Sequence, residues 1–190
     1  MKQHLAQAFA DAEALLQAWR VDPDTLEELT AIAEAFAECL LAGHKILVAG
    51  NGGSLADAVH FAEEWTGRFR ENRRPYPVMA LAEPTHLTCV GNDFGFEDVF
   101  ARPVQAFGRP GDVLLLLSTS GQSPNLVKAA VAARQQGMRV VALLGRGGGS
   151  LKTLCDLAHI VPGRTADRIQ ELHMLSLHAL LEAVETKLPS

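Results

Sequence analysis

From Lys2 to Arg20 the apolar residues Leu5, Phe9, Leu15, Leu16 and Trp19 fall largely on one stripe at helical spacing, which predicts a first helix. The tetrapeptide DPDT then breaks it, and Pro23 suits the first turn of a second helix ending near Gly43. Beyond Gly43 the period changes. Four short apolar runs, Lys45–Ala49, Pro77–Ala82, Asp112–Leu117 and Arg139–Leu144, read as strands. Each is followed by turn residues and a helix-compatible segment, and Ala158–Val161 is a weaker fifth run. The stretch from Thr165 to Lys187 is helical again. Such alternation predicts an α/β fold with a doubly wound, mainly parallel five-stranded sheet covered by helices on both faces. No repeat, low-complexity tract or linker interrupts it. The expected organisation is one domain over residues 1–190, with N-terminal helices at about 2–42, a core at about 44–162 and a C-terminal helix at about 165–187.

Bulk properties narrow the class. A chain of 190 residues, 48% hydrophobic and 21% charged, has the make-up of a globular protein with a sizeable core. Its formal charge of −5, without a long basic block, argues against nucleic acid as a partner. No run of about 18 apolar residues argues for a membrane span. The first residues carry Asp11 and Glu13 at helical spacing, unlike a signal peptide. Cys39, Cys89 and Cys155 form no CxxC pair, and three isolated thiols fit a reducing cytoplasm.

In an open α/β sheet, ligands sit beyond the carboxyl ends of the strands. Two of those ends are unusually polar. The first is GNGGS, Gly50 to Ser54, whose glycines admit close backbone approach and lead into a helix N-terminus that favours an anion. A dinucleotide fingerprint fails here: Leu55 occupies the sixth position, and Glu83 lies 33 residues after Gly50 instead of about 20. No phosphate-loop GxxxxGK[ST] occurs either. The second end is STSGQS, Ser118 to Ser123, with Pro124 suited to the first turn of the next helix. Capping explains one serine. The hydroxyls of Ser118, Thr119, Ser120 and Ser123 together point to a phosphate cradle that needs no lysine.

The helix after GNGGS carries His60 and Glu64, which at i and i+4 share one face. Alone, such a pair is more often a solvated ion pair than a site. His159 and His173 read as surface or hydrogen-bonded core histidines, and the arginines of GRFRENRR as a solvated loop in preference to a phosphate grip.

The segments GNGGS, HFAEEWTGRFRENR, CVGNDFGFEDVF, STSGQS and ADRIQELH, in this order over nearly the whole chain, resemble the phosphoheptose isomerases of the sugar isomerase (SIS) domain family. The resemblance implies a flavodoxin-like doubly wound fold, with extra helices at both ends that build a homotetramer. It implies conversion of D-sedoheptulose 7-phosphate to D-glycero-D-manno-heptose 7-phosphate, toward the ADP-heptose of lipopolysaccharide. By the same resemblance, Asn51, Gly52, Gly53, Asn92 and Asp93 are expected to contact the sugar, and Ser118, Thr119, Ser120 and Ser123 the phosphate. His60, Glu64, Gln170 and His178 are expected around one zinc ion per subunit, with Glu64 and His178 transferring protons. The poorest correspondences are GRGGGSLKTL and the N-terminal helix.

That chemistry wants these residue types. Interconverting a ketose and an aldose through an enediol needs a base at the carbon-bound proton and an acid at the oxygens, for which a tuned carboxylate and imidazole suffice. Gln170 and His178 lie eight residues apart, about 12 Å along one helix, too far to share an ion from one straight helix. Either one of them stands back from the ion, or two subunits combine. A rival reading comes from the same family, whose non-enzymatic members bind the replication initiator protein as tetramers. Those relatives lack the His/Glu pair and the histidine at position 178, all of which this sequence has. A sugar-phosphate-sensing regulator would be joined to a DNA-binding module, and these residues contain none.

Overall fold

The structure, a computed structural model, describes residues 1–189. Two helices open the chain, α1 (Lys2–Val21) and α2 (Pro23–Leu41), and the alternating core begins with β1 (Ile46–Gly50) and α3 (Gly53–Thr66). Then come β2 (Val78–Ala80), α4 (Pro84–Asp93), α5 (Ala101–Phe107), β3 (Val113–Ser118) and α6 (Pro124–Gln135). β4 (Arg139–Gly145), β5 (Leu157–Val161) and α7 (Ala166–Glu185) complete it. One sheet runs in the order β2–β1–β3–β4–β5 with every pairing parallel, as the alternation predicts. β1 and β3 are buried at every position, which is why their sequences are continuously apolar and not alternating.

Each face of the sheet packs its own core. Ile46, Val48, Leu115 and Leu143 join Phe36, Phe61, Trp65 and Leu181 beneath α2, α3 and α7. Leu47, Leu114, Leu116 and Val140 join Phe100, Val104, Leu126 and Ala133 beneath α5 and α6. The turn signals act as expected: Pro23 opens α2 while Asp22 accepts from the Asp24 N–H at 3.0 Å. No described helix is long and apolar enough to cross a membrane.

One expectation needs correction. The run after β4 forms no α-helix. Gly147, Gly148 and Gly149 all take positive φ, and only a short 3-10 turn, Leu151–Thr153, follows. The apolar stripe of α1, predicted as a helix face, is mostly exposed. Leu5 and Phe9 are 60% and 73% exposed, and only Trp19 is buried along that helix. Its indole N–H donates to His159 Nε2 at 2.6 Å, so the His159 proton sits on Nδ1, facing Glu28 Oε2 at 2.8 Å. By contrast α7 buries an apolar face within the chain: Leu172, Leu177, Leu180, Leu181 and Val184 pack against α2, α3 and the sheet, while Leu175 stays 41% exposed.

His173 lies wholly inside, with Nε2 3.1 Å from the Leu144 carbonyl and Nδ1 without a partner. Burial pushes its pKa down from 6.5 to about 4. The folded value lies below the unfolded one, so between them the unfolded chain binds more protons. Stability of about 3 kcal/mol, present above the unfolded pKa, is therefore lost as pH falls through the folded value. Urea midpoints followed across that range should show the slope flattened in His173→Gln; parallel curves for the two proteins would contradict it.

Candidate active site

The strand order reverses between β1 and β3, the position at which open sheets of this order bind ligands. Both polar turns sit there, because Gly50 and Leu117 are register partners at the carboxyl ends of the two strands. The side chains of Asn51 and Asn125 exchange two hydrogen bonds, at 3.0 and 2.8 Å, locking the first turn to the start of α6. Asn125 is buried, and no motif marked it in the sequence. Each amide keeps one N–H and one lone pair for a ligand.

The second turn is built from its own hydroxyls. Ser118 Oγ accepts from the Gly121 N–H at 3.0 Å, and Ser120 Oγ from the Gln122 N–H at 3.2 Å. Ser123 stands at the N-cap position of α6 without a capping bond, so its hydroxyl is free to turn toward an anion. Gly121 has φ +64°, and a Cβ there would overlap the Gly148 carbonyl oxygen. The Leu151 N–H donates to the Gly121 carbonyl at 3.0 Å. GRGGGS is thus the floor under the hydroxyl turn. The close approach of Gly121 and Gly149, where an added Cβ on either would overlap the facing backbone, is a contact that sequence reading missed.

α3 and α7 then run side by side. At one end the Gln170 amide packs on Gly53, where an added Cβ would meet it at 2.7 Å, and lies 3.4 Å from Ser54 Oγ. Two turns on, His60 Nε2 and His178 Nε2 each approach Glu64 Oε1 at 3.4 Å, with ring centroids 5.4 Å apart. The geometric tension between Gln170 and His178 resolves along the helix: Gln170 faces the glycine turn and His178 faces the acid. The Gln170 amide thus meets α3 at its N-terminal turn, and His178 meets it at Glu64, eight residues further along α7.

Glu64 is buried while both imidazoles reach solvent. Burial raises its pKa, and the neighbouring His178 and then His60 oppose the rise. Its second oxygen, Oε2, is buried without a hydrogen-bond partner, an arrangement that is costly unless a cation or a proton serves it. Ligand atoms of His60, Glu64 and His178 all lie within 4.8 Å of one another. Two imidazoles and a carboxylate make a donor set that suits a divalent metal with a position left for substrate.

Residues 9–145 match the SIS domain family. The chain belongs to the SIS domain family. Its relatives include a phosphoheptose isomerase of Fusobacterium nucleatum, 44% identical over 96% of this chain and 94% of that one. Another from Escherichia fergusonii is 48% identical over 88% of each chain. The solved structure of phosphoheptose isomerase from Neisseria gonorrhoeae superposes with a TM-score of 0.91 at 39% identity, covering 97% of this chain and 98% of that one.

Within this SIS domain, two further groups of residues make other contacts. Asn92 and Asp93 end α4 exposed, and the Asn92 amide donates to Asp93 Oδ1 at 2.7 Å. No hydrogen bond joins them to the two strand-end turns among the described residues. The arginine-rich loop is not simply solvated. Arg73 is only 8% exposed and binds the Trp65 and Glu64 carbonyls, each at 2.8 Å, and Glu185 Oε1 at 2.7 Å. A guanidinium offers five donors in a fixed fork, enough to satisfy carbonyls that the end of α3 cannot bond itself.

Proposed function

We propose that this chain is a phosphoheptose isomerase, converting D-sedoheptulose 7-phosphate to D-glycero-D-manno-heptose 7-phosphate through an enediol in heptose biosynthesis. The observation that carries the reading is a buried carboxylate shared by two imidazoles, on a helix rising from the polar strand-end turn, in a chain whose full-length relatives bear that name. His60 lies seven residues beyond Gly53, about 10 Å along α3, a reach that suits an extended seven-carbon sugar with its phosphate at the far end.

Ser118, Thr119, Ser120 and Ser123 hold the phosphate, and Asn51, Gly52, Gly53 and Gln170 line the sugar, with Asn92 and Asp93 approaching it from α4. Glu64 withdraws a proton from C1 while His178 protonates the C2 oxygen, giving the enediol. Return of a proton to C2 and loss of one from the C1 hydroxyl leave the aldehyde. His60, Glu64 and His178 would hold a zinc ion, one per subunit, which would polarise the substrate carbonyl. The test is aldose formation by the purified protein from sedoheptulose 7-phosphate, with and without a chelator. Turnover that a chelator abolishes and zinc restores supports the whole reading; turnover indifferent to chelation removes the zinc from it.

The same reading takes the enzyme to be a cytoplasmic homotetramer. The exposed Leu5 and Phe9 of α1, and an apolar groove between α2 and α7 lined by Leu26, Leu29, Leu41 and Leu180, are the surfaces assembly would cover. Light scattering at micromolar concentration should give the mass of four chains, about 80 kDa from 20.4 kDa each. A monomeric mass with activity retained would refute the assembly.

A further inference from the structure

The loop between α3 and β2 touches α7 at three points that share one helical face. Phe69 stacks on the His178 ring, with centroids 5.7 Å apart and planes 24° apart. Arg70 pairs with Glu182 and lies 5.0 Å over the Phe69 ring. Arg73 reaches Glu185 at 2.7 Å. Positions 178, 182 and 185 stand at i, i+4 and i+7, so the loop follows a single stripe of α7.

The same loop holds the other helix. The Arg73 guanidinium bonds the Glu64 and Trp65 carbonyls at the C-terminal end of α3, where those groups have no partner within the helix and a cation complements the helix dipole. It also lies 5.3 Å from the Trp65 ring centroid and 5.6 Å from that of Tyr76, which limits its freedom to swing away. One side chain thus ties the backbone of Glu64 to the helix that carries His178.

We propose that residues 67–74 form a strap that sets Glu64 and His178 at their working separation, with Phe69 and Arg73 as positioning residues. The inference rests on the isomerase reading, in which those two groups transfer the protons. Arg73 acts through the α3 backbone and through Glu185, and Phe69 through the orientation of the imidazole; neither touches the reacting atoms in this account. A strap fits the chemistry because a misplacement of about 1 Å at the reacting groups costs on the order of 100-fold in rate.

Wild-type turnover of sedoheptulose 7-phosphate is measured first, since its absence would sink the isomerase reading itself, separately from the strap. Phe69→Leu, which keeps an apolar side chain on the partly buried surface but removes the flat face against His178, then carries the decision. It should lower kcat by about 10–100-fold with KM within about twofold, and weaken zinc binding by a similar factor, as loss of a group that orients a ligand does. Arg73→Ala should show the same split, and Arg73→Lys should recover only part of kcat, because an ammonium cannot span both carbonyls and Glu185. A kcat for Phe69→Leu within about twofold of wild type overturns the proposal, whether or not Arg73→Ala folds. A rise in KM alone overturns it too, since that would mark a substrate contact.

Discussion

Glu64→Gln should lower kcat by about 10²–10⁴-fold, the contribution of a positioned general acid or base, while sugar-phosphate binding persists. The substitution keeps the shape of the side chain but removes the carboxylate that His60 and His178 both approach at 3.4 Å. The hydroxyl turn at Ser118–Ser123 and the Asn51–Asn125 lock lie on separate elements and remain intact. His178→Gln should act similarly, removing the imidazole from the oxygens of the enediol. The two losses should not add: once one proton-transfer partner is gone, removal of the other takes away little more. Steady-state kinetics with sedoheptulose 7-phosphate at saturating zinc measures this. Either variant turning over at the wild-type rate would show that proton transfer lies elsewhere.

Gly121→Ala should be the most damaging small substitution in the phosphate turn. At φ +64° a Cβ is strained, and it would overlap the Gly148 carbonyl, which is backbone and cannot rotate aside. Strain and overpacking together should cost about 2–6 kcal/mol. Whatever folds should show a raised KM, because Ser118 Oγ and the Gly121 N–H define the turn through their 3.0 Å bond. Chemical denaturation and KM are the readouts. Wild-type values of both would mean that the 147–149 glycines do not support the cradle.

The parts of this molecule legible in its sequence are those written within a few residues. The apolar runs Lys45–Ala49 and Asp112–Leu117 gave parallel core strands, and GNGGS and STSGQS announced themselves as polar strand ends. The α/β class and the parallel five-stranded sheet followed from their alternation with helices. What escaped depends on contacts between distant residues. The Arg73–Glu185 bond spans 112 positions, so GRFRENRR looked like a solvated loop. The division of α7 between Gln170 at the glycine turn and His178 at Glu64 needed the parallel course of α3 and α7. Asn125 matters through a partner 74 residues away. The stripe of α1 was legible as a helix face, but periodicity tells which face is apolar, not what covers it; in the folded chain only Trp19 is buried there.

The most direct test of the central claim is to run the purified, zinc-supplied protein on sedoheptulose 7-phosphate in deuterated water and examine the product by NMR. Proton transfer through an enediol, with Glu64 exchanging its proton through the solvent-reaching His60 and His178, predicts D-glycero-D-manno-heptose 7-phosphate carrying deuterium at C2. An aldose without label at C2 would contradict the Glu64 and His178 mechanism in favour of a hydride shift, and no aldose at all would contradict the isomerase reading itself.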